Sequence, residues 1–154
     1  MAKRLMRRKA DGTAFENEFK EAIKKEFYIR RLPTLNTGYA GQSQPADFIA
    51  VGKRFNYVEV KETKGDSFSI TQMQQYEEFK DFIEERDRLC RRFTMTVFTM
   101  DYVLVVHFLS HNCYRVVYSK QMLDLVKRRK TVRWDGKEGL TFTSLNDLVG
   151  GIDL

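Results

Sequence analysis

The sequence has little cysteine or proline and lacks a long apolar run. Its 154 residues include two cysteines and two prolines. Cys90 and Cys113 stand apart from any CxxC or zinc-spaced pattern, which predicts two reduced structural thiols and excludes a disulfide framework. The longest apolar run, residues 102–106, is too short to cross a bilayer, and no apolar signal core follows the basic start. We therefore expect a soluble intracellular protein without a membrane partner.

Positive charge is concentrated at the N-terminus. The net charge is +6, and the first ten positions hold five of the 27 basic residues and none of the 21 acidic ones. Such an arm is typical of phosphate binding, because neutralising phosphates releases condensed counterions. A solubility tail or a segment for an acidic protein remains an alternative. The arm consists of Lys3, Arg4, Arg7, Arg8 and Lys9.

The hydrophobic pattern predicts one α/β domain over residues 11–154, preceded by a flexible basic arm over 1–10. Helical spacing recurs over about 14–27, 71–88 and 120–129, with a last turn near 144–149. Strands are predicted over 28–32, 47–51, 55–62, 93–99, 102–108, 114–118 and 132–134, with a polar loop over 33–45. This order predicts a central mixed β-sheet flanked by helices.

Two predicted strands bring acidic residues and a lysine together. The two-residue period of a strand places Glu59 and Lys61 on one face, a pattern that is also common in ordinary half-buried strands. Asp47 begins the preceding strand, and a hairpin turned at Gly52-Lys53 would bring it close to Glu59. Paired carboxylates repel each other unless a cation lies between them, and oxygen ligands suit Mg²⁺ or Mn²⁺. Lys61 would then stabilise charge on a phosphate or orient the attacking water.

The first predicted helix offers a third acid. Glu16 falls inside the apolar stripe of this helix, between Ile23 and Phe27 on a helical projection. An acid in such a stripe needs a partner, and the metal site is one candidate. Glu26 also falls in the stripe, but its place near the helix end allows it to turn outward.

The order of these motifs resembles the PD-(D/E)xK nuclease superfamily, and within it the archaeal-type Holliday junction resolvases. The resemblance covers nearly the whole chain. Two departures are a threonine in place of the family's loop serine and one residue inserted between proline and aspartate. The matching segments are Gly12 to Glu16, Thr37-Gly38, Pro45-Ala46-Asp47, Glu59-Val60-Lys61, the helix led by Gln72, and Glu138-Gly139-Leu140 with the segment after Ser144.

The resemblance implies a homodimer that resolves four-way DNA junctions by paired symmetric nicks, through Mg²⁺-dependent phosphodiester hydrolysis, as in DNA recombination and repair. Mn²⁺ is expected to substitute. Glu16, Asp47, Glu59 and the carbonyl of Val60 would hold the metal, and Lys61 would act on water or phosphate. Thr37 would contact the phosphate backbone, and Gln72 would orient the nucleophile or Lys61. DNA arms would be held by the basic arm together with Arg30, Arg31 and residues 127–130.

Three other functions remain open from the sequence. The same nuclease chemistry suits flaps, replication forks or plain duplex, because junction choice depends on dimer geometry. A non-catalytic DNA-binding module that keeps the nuclease fold is less favoured, since it would have no need for the acid pair and Lys61. A basic protein-interaction domain has no dedicated feature in the sequence.

Overall fold

The computed structural model describes residues 14–32, 46–72, 100–128 and 131–154, together with positions 81, 84, 85, 88 and 92. The basic arm, Thr37 with its loop, Cys90 and the predicted strand over 93–99 lie outside these residues. Of the predicted helix over 71–88, the described positions 81, 84, 85 and 88 are helical, whereas residues 70–72 form a short 3-10 turn.

A six-stranded mixed sheet forms the centre of the domain. It has the order β1-β2-β3-β5-β6-β8; β3 and β5 are parallel, and the other pairs are antiparallel. A separate pair joins β4 to β7. The predicted α/β class with a central mixed sheet is therefore confirmed. The strands are β1 (Tyr28–Arg31), β2 (Phe48–Val51), β3 (Phe55–Thr63), β4 (Ser67–Ser69), β5 (Met100–Phe108), β6 (Cys113–Tyr118), β7 (Thr131–Arg133) and β8 (Leu140–Phe142).

Helices cover both faces of the sheet. Helix α1 (residues 14–23) and helix α3 (Leu145–Gly151) pack on one face, and helix α2 (Ser119–Arg128) with β7 packs on the other. Burial on both faces explains the nearly continuous apolar run of β5. The first core includes Phe15, Phe19, Ile23, Phe48, Val58, Val60, Val103, Val105 and Leu148, and the second includes Leu104, Val106, Val117, Met122, Leu125 and Val132.

Side-chain hydrogen bonds mark the first residues of two helices. The Ser144 hydroxyl accepts a hydrogen bond from the backbone N–H of Asp147 at 3.1 Å, which caps α3. At the start of α2, Asp101 Oδ1 accepts from the Ser119 backbone N–H at 3.3 Å and from the Ser119 hydroxyl. These bonds satisfy donors that a helix leaves unpaired at its first turn.

The structure corrects some predicted boundaries. The first helix ends at Ile23, so Phe27 and the exposed Glu26 lie beyond it. Strands β4 and β8, of three residues each, were not predicted from the sequence. Cys113 is a free, buried thiol, as expected. Within the described ranges, no helix is long and apolar enough to span a membrane.

Candidate active site

The register of the β2–β3 hairpin places Asp47 opposite Glu59. Phe48 pairs with Val58, so the residues one position further out face each other across the two strands. Asp47 Oδ2 accepts a hydrogen bond from the backbone N–H of Val60 at 2.9 Å, which holds the carboxylate against β3. The predicted hairpin and its acid pair are therefore present in the structure.

The turn of this hairpin requires a glycine. A Cβ on Gly52 would lie 2.4 Å from the backbone oxygen of Leu154, closer than two such atoms can approach. The backbone N–H of the next residue, Lys53, donates to the same oxygen at 2.7 Å. The C-terminal segment thus packs directly on the turn, and this contact helps to fix the register that aligns the two acids.

Glu59 is a buried carboxylate with few partners. Its side chain is 0% exposed, and its Oε1 lies 2.6 Å from Lys61 Nζ. Within the described part of the chain, neither carboxylate oxygen accepts a well-aligned hydrogen bond. Burial, and then the negative charge of Asp47, raise the pKa of Glu59 to about 8. The site therefore favours either a protonated Glu59 or an added positive charge.

The pKa values of Asp47 and Lys61 are both raised, but for different reasons. Burial raises the pKa of Asp47, although the hydrogen bond from Val60 and the charge of Lys61 oppose the rise. Burial lowers the pKa of Lys61, but the neighbouring carboxylates, Glu59 first, outweigh it and give a net rise. Lys61 therefore carries its positive charge at neutral pH, beside two acids that are costly to ionise.

Glu16 has a protein partner in the structure. Its Oε2 accepts from Arg31 Nη1 at 2.5 Å, and Arg31 Nη2 donates to Asn17 Oδ1 at 3.0 Å. The Arg31 guanidinium also lies 5.0 Å from the centre of the Phe48 ring. The acid in the apolar stripe signalled that a partner was needed, but the sequence offered no way to recognise Arg31 as that partner. The predicted DNA contact of Arg31 stays a prediction.

The charge of Glu16 still reaches the site, since it helps to raise the pKa values of Asp47 and Lys61. Within the described ranges, however, no three His, Cys, Asp or Glu side chains lie close enough together to hold a metal ion. The described structure thus supplies two carboxylates, and the role of Glu16 as a third ligand stays a prediction.

The residues present fit a divalent cation. A buried carboxylate is costly unless donors or positive charge compensate it, and among the described residues Glu59 has the Lys61 ammonium at Oε1 but no well-aligned hydrogen bond at either oxygen. Asp47 adds a second carboxylate from the opposite strand. A donor set of hard oxygens suits Mg²⁺ or Mn²⁺. The predicted choice of metal is therefore consistent with the chemistry of the site.

The structure places the backbone of Gln72 and the whole of Arg30, two further residues of the predicted site. Gln72 ends the 3-10 turn Ile70–Gln72 that follows β4, and its side chain is not among those described. Arg30 is exposed on β1. Glu62, the acid directly after Lys61, belongs to the other face of β3 and lies 2.9 Å from His107 Nδ1. Strand alternation thus separates Glu62 from the acid pair.

The chain is similar to proteins of known structure, although no protein-family model and no curated protein matches it. The chain is similar to the structure of Archaeoglobus fulgidus Hjc, a Holliday junction resolvase from an archaeal hyperthermophile. The match has 20% sequence identity and a TM-score of 0.42, and it covers 72% of this chain and 75% of that chain.

Proposed function

We propose that this protein is a divalent-metal-dependent nuclease that hydrolyses phosphodiester bonds in DNA. One observation carries the proposal: the fully buried Glu59 lies opposite Asp47, has no well-aligned hydrogen bond from the described residues, and pairs with Lys61 at 2.6 Å. Such a cluster costs folding stability, and buried groups with shifted pKa values are concentrated at functional sites. Carboxylates can hold the divalent cation that assists phosphodiester cleavage, and a lysine beside them can stabilise the charge that develops on the phosphate.

The metal would be held by Asp47, Glu59 and the carbonyl of Val60, with Glu16 as the further acid. When bound, it would polarise the phosphate and lower the pKa of a bound water. The chain's own groups do the rest. The N–H of Val60 fixes the Asp47 carboxylate, and the ammonium of Lys61 stabilises negative charge that develops on phosphate oxygens. The buried floor of the site limits water, which strengthens these electrostatic interactions.

For the substrate we propose branched DNA, with the four-way junction as the first choice. The basic arm and the exposed Arg30 supply charge for phosphate contacts. The choice of a junction, with a homodimer making paired nicks, depends on the motif resemblance described above. A two-fold dimer would present two identical sites to two symmetry-related strands. Other branched DNA or duplex is the second choice of substrate.

One assay tests both the proposed reaction and the proposed substrate. A labelled four-way junction, a fork and a linear duplex are each incubated with the protein in Mg²⁺, Mn²⁺, Ca²⁺ or EDTA. We expect cleavage of the junction in Mg²⁺ and Mn²⁺, binding without cleavage in Ca²⁺, and no cleavage in EDTA. Robust cutting in EDTA would exclude the metal mechanism. Binding without cutting in Mg²⁺ and Mn²⁺ would support the non-catalytic module.

A further inference from the structure

The sheet face that carries the acid pair continues into an exposed surface at the edge of the sheet. Residues at alternate positions of a strand share a face, so Tyr28 and Arg30 lie on the face opposite to the buried Ile29. The cross-strand register places Arg30 beside Ile49, and Tyr28 beside Val51. Asp47, directly before β2, continues this alternation and lies on the same face as those two partners. The acid pair and the edge surface are therefore continuous.

The edge surface exposes aromatic and basic groups. Tyr28 is 56% exposed and Val51 is 38% exposed, while the neighbouring Ile29 is buried in the first core. The guanidinium carbon of Arg30 lies 5.8 Å from the centre of the Tyr28 ring, at cation–π distance. A large ring held open to solvent beside an arginine adds little to the core. It does offer a flat apolar face with a positive charge next to it.

The distance from the acid pair suits one strand of DNA. A β-strand rises about 3.3 Å per residue, so the row of Arg30 lies about 7 Å, and the row of Tyr28 about 13 Å, from the row of Asp47 and Glu59. One strand of a duplex advances about 3.4 Å per nucleotide. A strand bound with its phosphate at the acid pair would thus reach Tyr28 within a few nucleotides.

We propose that Tyr28 and Arg30 form a stacking platform for an unstacked base of the DNA strand, close to the phosphate that is cut. This inference rests on the proposed nuclease function and specifies its substrate: the nucleotide on the platform is not stacked in a duplex. Aromatic rings bind bases of any sequence by stacking, and arginine adds both charge and a planar stacking surface. The Arg30 guanidinium would contact the backbone phosphate of the stacked nucleotide.

Charge favours nucleic acid over a second copy of this chain as the occupant. Strand β1 is at the edge of the sheet, and an identical strand added there would bring Arg30 and Arg31 close to their copies. Like charges on an edge strand oppose such pairing. DNA presents the opposite charge, and a branch point presents bases that are already partly unstacked.

The test uses Tyr28→Ala, Tyr28→Phe and the matched control Leu140→Ala. Leu140 is 39% exposed on β8, the strand at the opposite edge of the sheet. Affinity is measured in Ca²⁺ for a four-way junction and for a linear duplex. A series of junctions with 2-aminopurine at successive positions beside the mapped cut reports on stacking. Melting curves compare the folding of the variants, and sedimentation compares their oligomeric state.

We expect Tyr28→Ala to weaken junction binding by about 5- to 100-fold, the range for loss of one base–aromatic stack. It should also abolish the 2-aminopurine signal at one position. Tyr28→Phe keeps the ring and should retain both affinity and signal, and Leu140→Ala should behave as the wild type. Binding of linear duplex should change little, because its bases remain stacked in the helix.

Several results would overturn the platform. If Tyr28→Ala binds the junction and reports stacking as the wild type does, and the wild type cuts DNA, the platform is excluded and the nuclease proposal stands. If Tyr28→Ala converts a dimer into monomers, the surface is a self-association site. If the wild type binds but never cuts, the nuclease proposal fails. The junction affinities of the wild type and Tyr28→Ala then still show whether Tyr28 stacks on a base. A wild type that neither binds nor cuts DNA overturns both.

Discussion

Glu59 and Lys61 lie two positions apart on β3, with Glu59 Oε1 2.6 Å from Lys61 Nζ. The carboxylate is fully buried, whereas 30% of the lysine side chain is exposed. The lysine side chain therefore connects the buried acid with the surface of the protein. In the proposed nuclease function, a substrate phosphate would approach Lys61 from this exposed side. The two residues form one electrostatic unit, so removing either one changes the protonation of the other.

Removing a single group of this unit should affect chemistry more than binding. Asp47→Asn, Glu59→Gln and Lys61→Ala should each lower the single-turnover rate of DNA cleavage by about 100-fold or more, the scale of losing one transition-state stabiliser. DNA affinity should stay similar, or rise for the two acid variants because repulsion of phosphate is reduced. Single-turnover kinetics and equilibrium binding in Ca²⁺ separate the two effects.

Glu62→Gln provides the matched control for these variants. Glu62 is the next acid on the same strand, but it pairs with His107 on the opposite face. Its substitution should leave the cleavage rate near that of the wild type. Normal cutting by Glu59→Gln would place the active site elsewhere and contradict our assignment.

The raised pKa of Glu59 predicts that the metal-free protein loses stability as pH rises. The folded pKa is about 8, and the ordinary value is 4.5, so between these values the folded state binds more protons than the unfolded state. The free energy of unfolding should therefore fall with rising pH across this window, with a slope of up to about 1.4 kcal/mol per pH unit. Asp47, whose pKa is also raised, contributes with the same sign.

Urea unfolding in EDTA at several pH values between 5 and 8.5 measures this effect. Glu59→Gln cannot ionise, so its stability should depend less on pH than that of the wild type. Added Mg²⁺ should stabilise the wild type most at the alkaline end, because the ionised pair binds the cation. Equal pH dependence in the wild type and Glu59→Gln would show that Glu59 titrates normally.

Glu16 and Arg31 test whether the third acid acts in chemistry or only in packing. Glu16→Gln should lower the cleavage rate on the scale of the other acids if it completes the metal shell, as the motif resemblance implies. If its role is limited to the pair with Arg31, Glu16→Gln and Arg31→Gln should lower the melting temperature together and leave the rate unchanged. Comparison of rates with melting curves for both variants distinguishes the two roles.

The N-terminal arm should contribute affinity and not chemistry. Deletion of residues 1–10 removes five positive charges. This should flatten the slope of log affinity against log salt by up to roughly 4–5 units, because fewer counterions are released on binding. The single-turnover rate at saturating protein should not change. A slope equal to that of the full chain would favour a solubility tail.

A dimer with two independent sites should produce half-products when active and inactive chains are mixed. Wild-type protein mixed with Glu59→Gln should form heterodimers that nick one strand of a junction and leave it unresolved. The fraction of nicked junctions should therefore pass through a maximum at intermediate ratios, as measured on denaturing and native gels. If linear duplex is cleaved as fast as a junction in the presence of competitor DNA, the resolvase assignment is excluded. The proposal of a metal-dependent nuclease would still hold.

Local patterns in the sequence were enough to predict the α/β class and the acid pair. Strand alternation alone places Glu59 and Lys61 on one face, and a short hairpin limits the registers in which Asp47 can face Glu59. The helical stripe identified Glu16 as an acid that needs a partner. These features depend on residues close in sequence, where backbone geometry restricts the possibilities.

Tertiary structure decided what depends on residues distant in sequence. The burial of Glu59 follows from the parallel pairing of β3 with β5 and from packing on that face, which a local pattern does not encode. The pairing of Glu16 with Arg31 requires α1 and β1 to meet, and the exposure of Tyr28 requires β1 to lie at the edge of the sheet. Desolvation and ion pairing depend on three-dimensional distance, so the pKa of Glu59 and the electrostatics of the site emerged only from the fold.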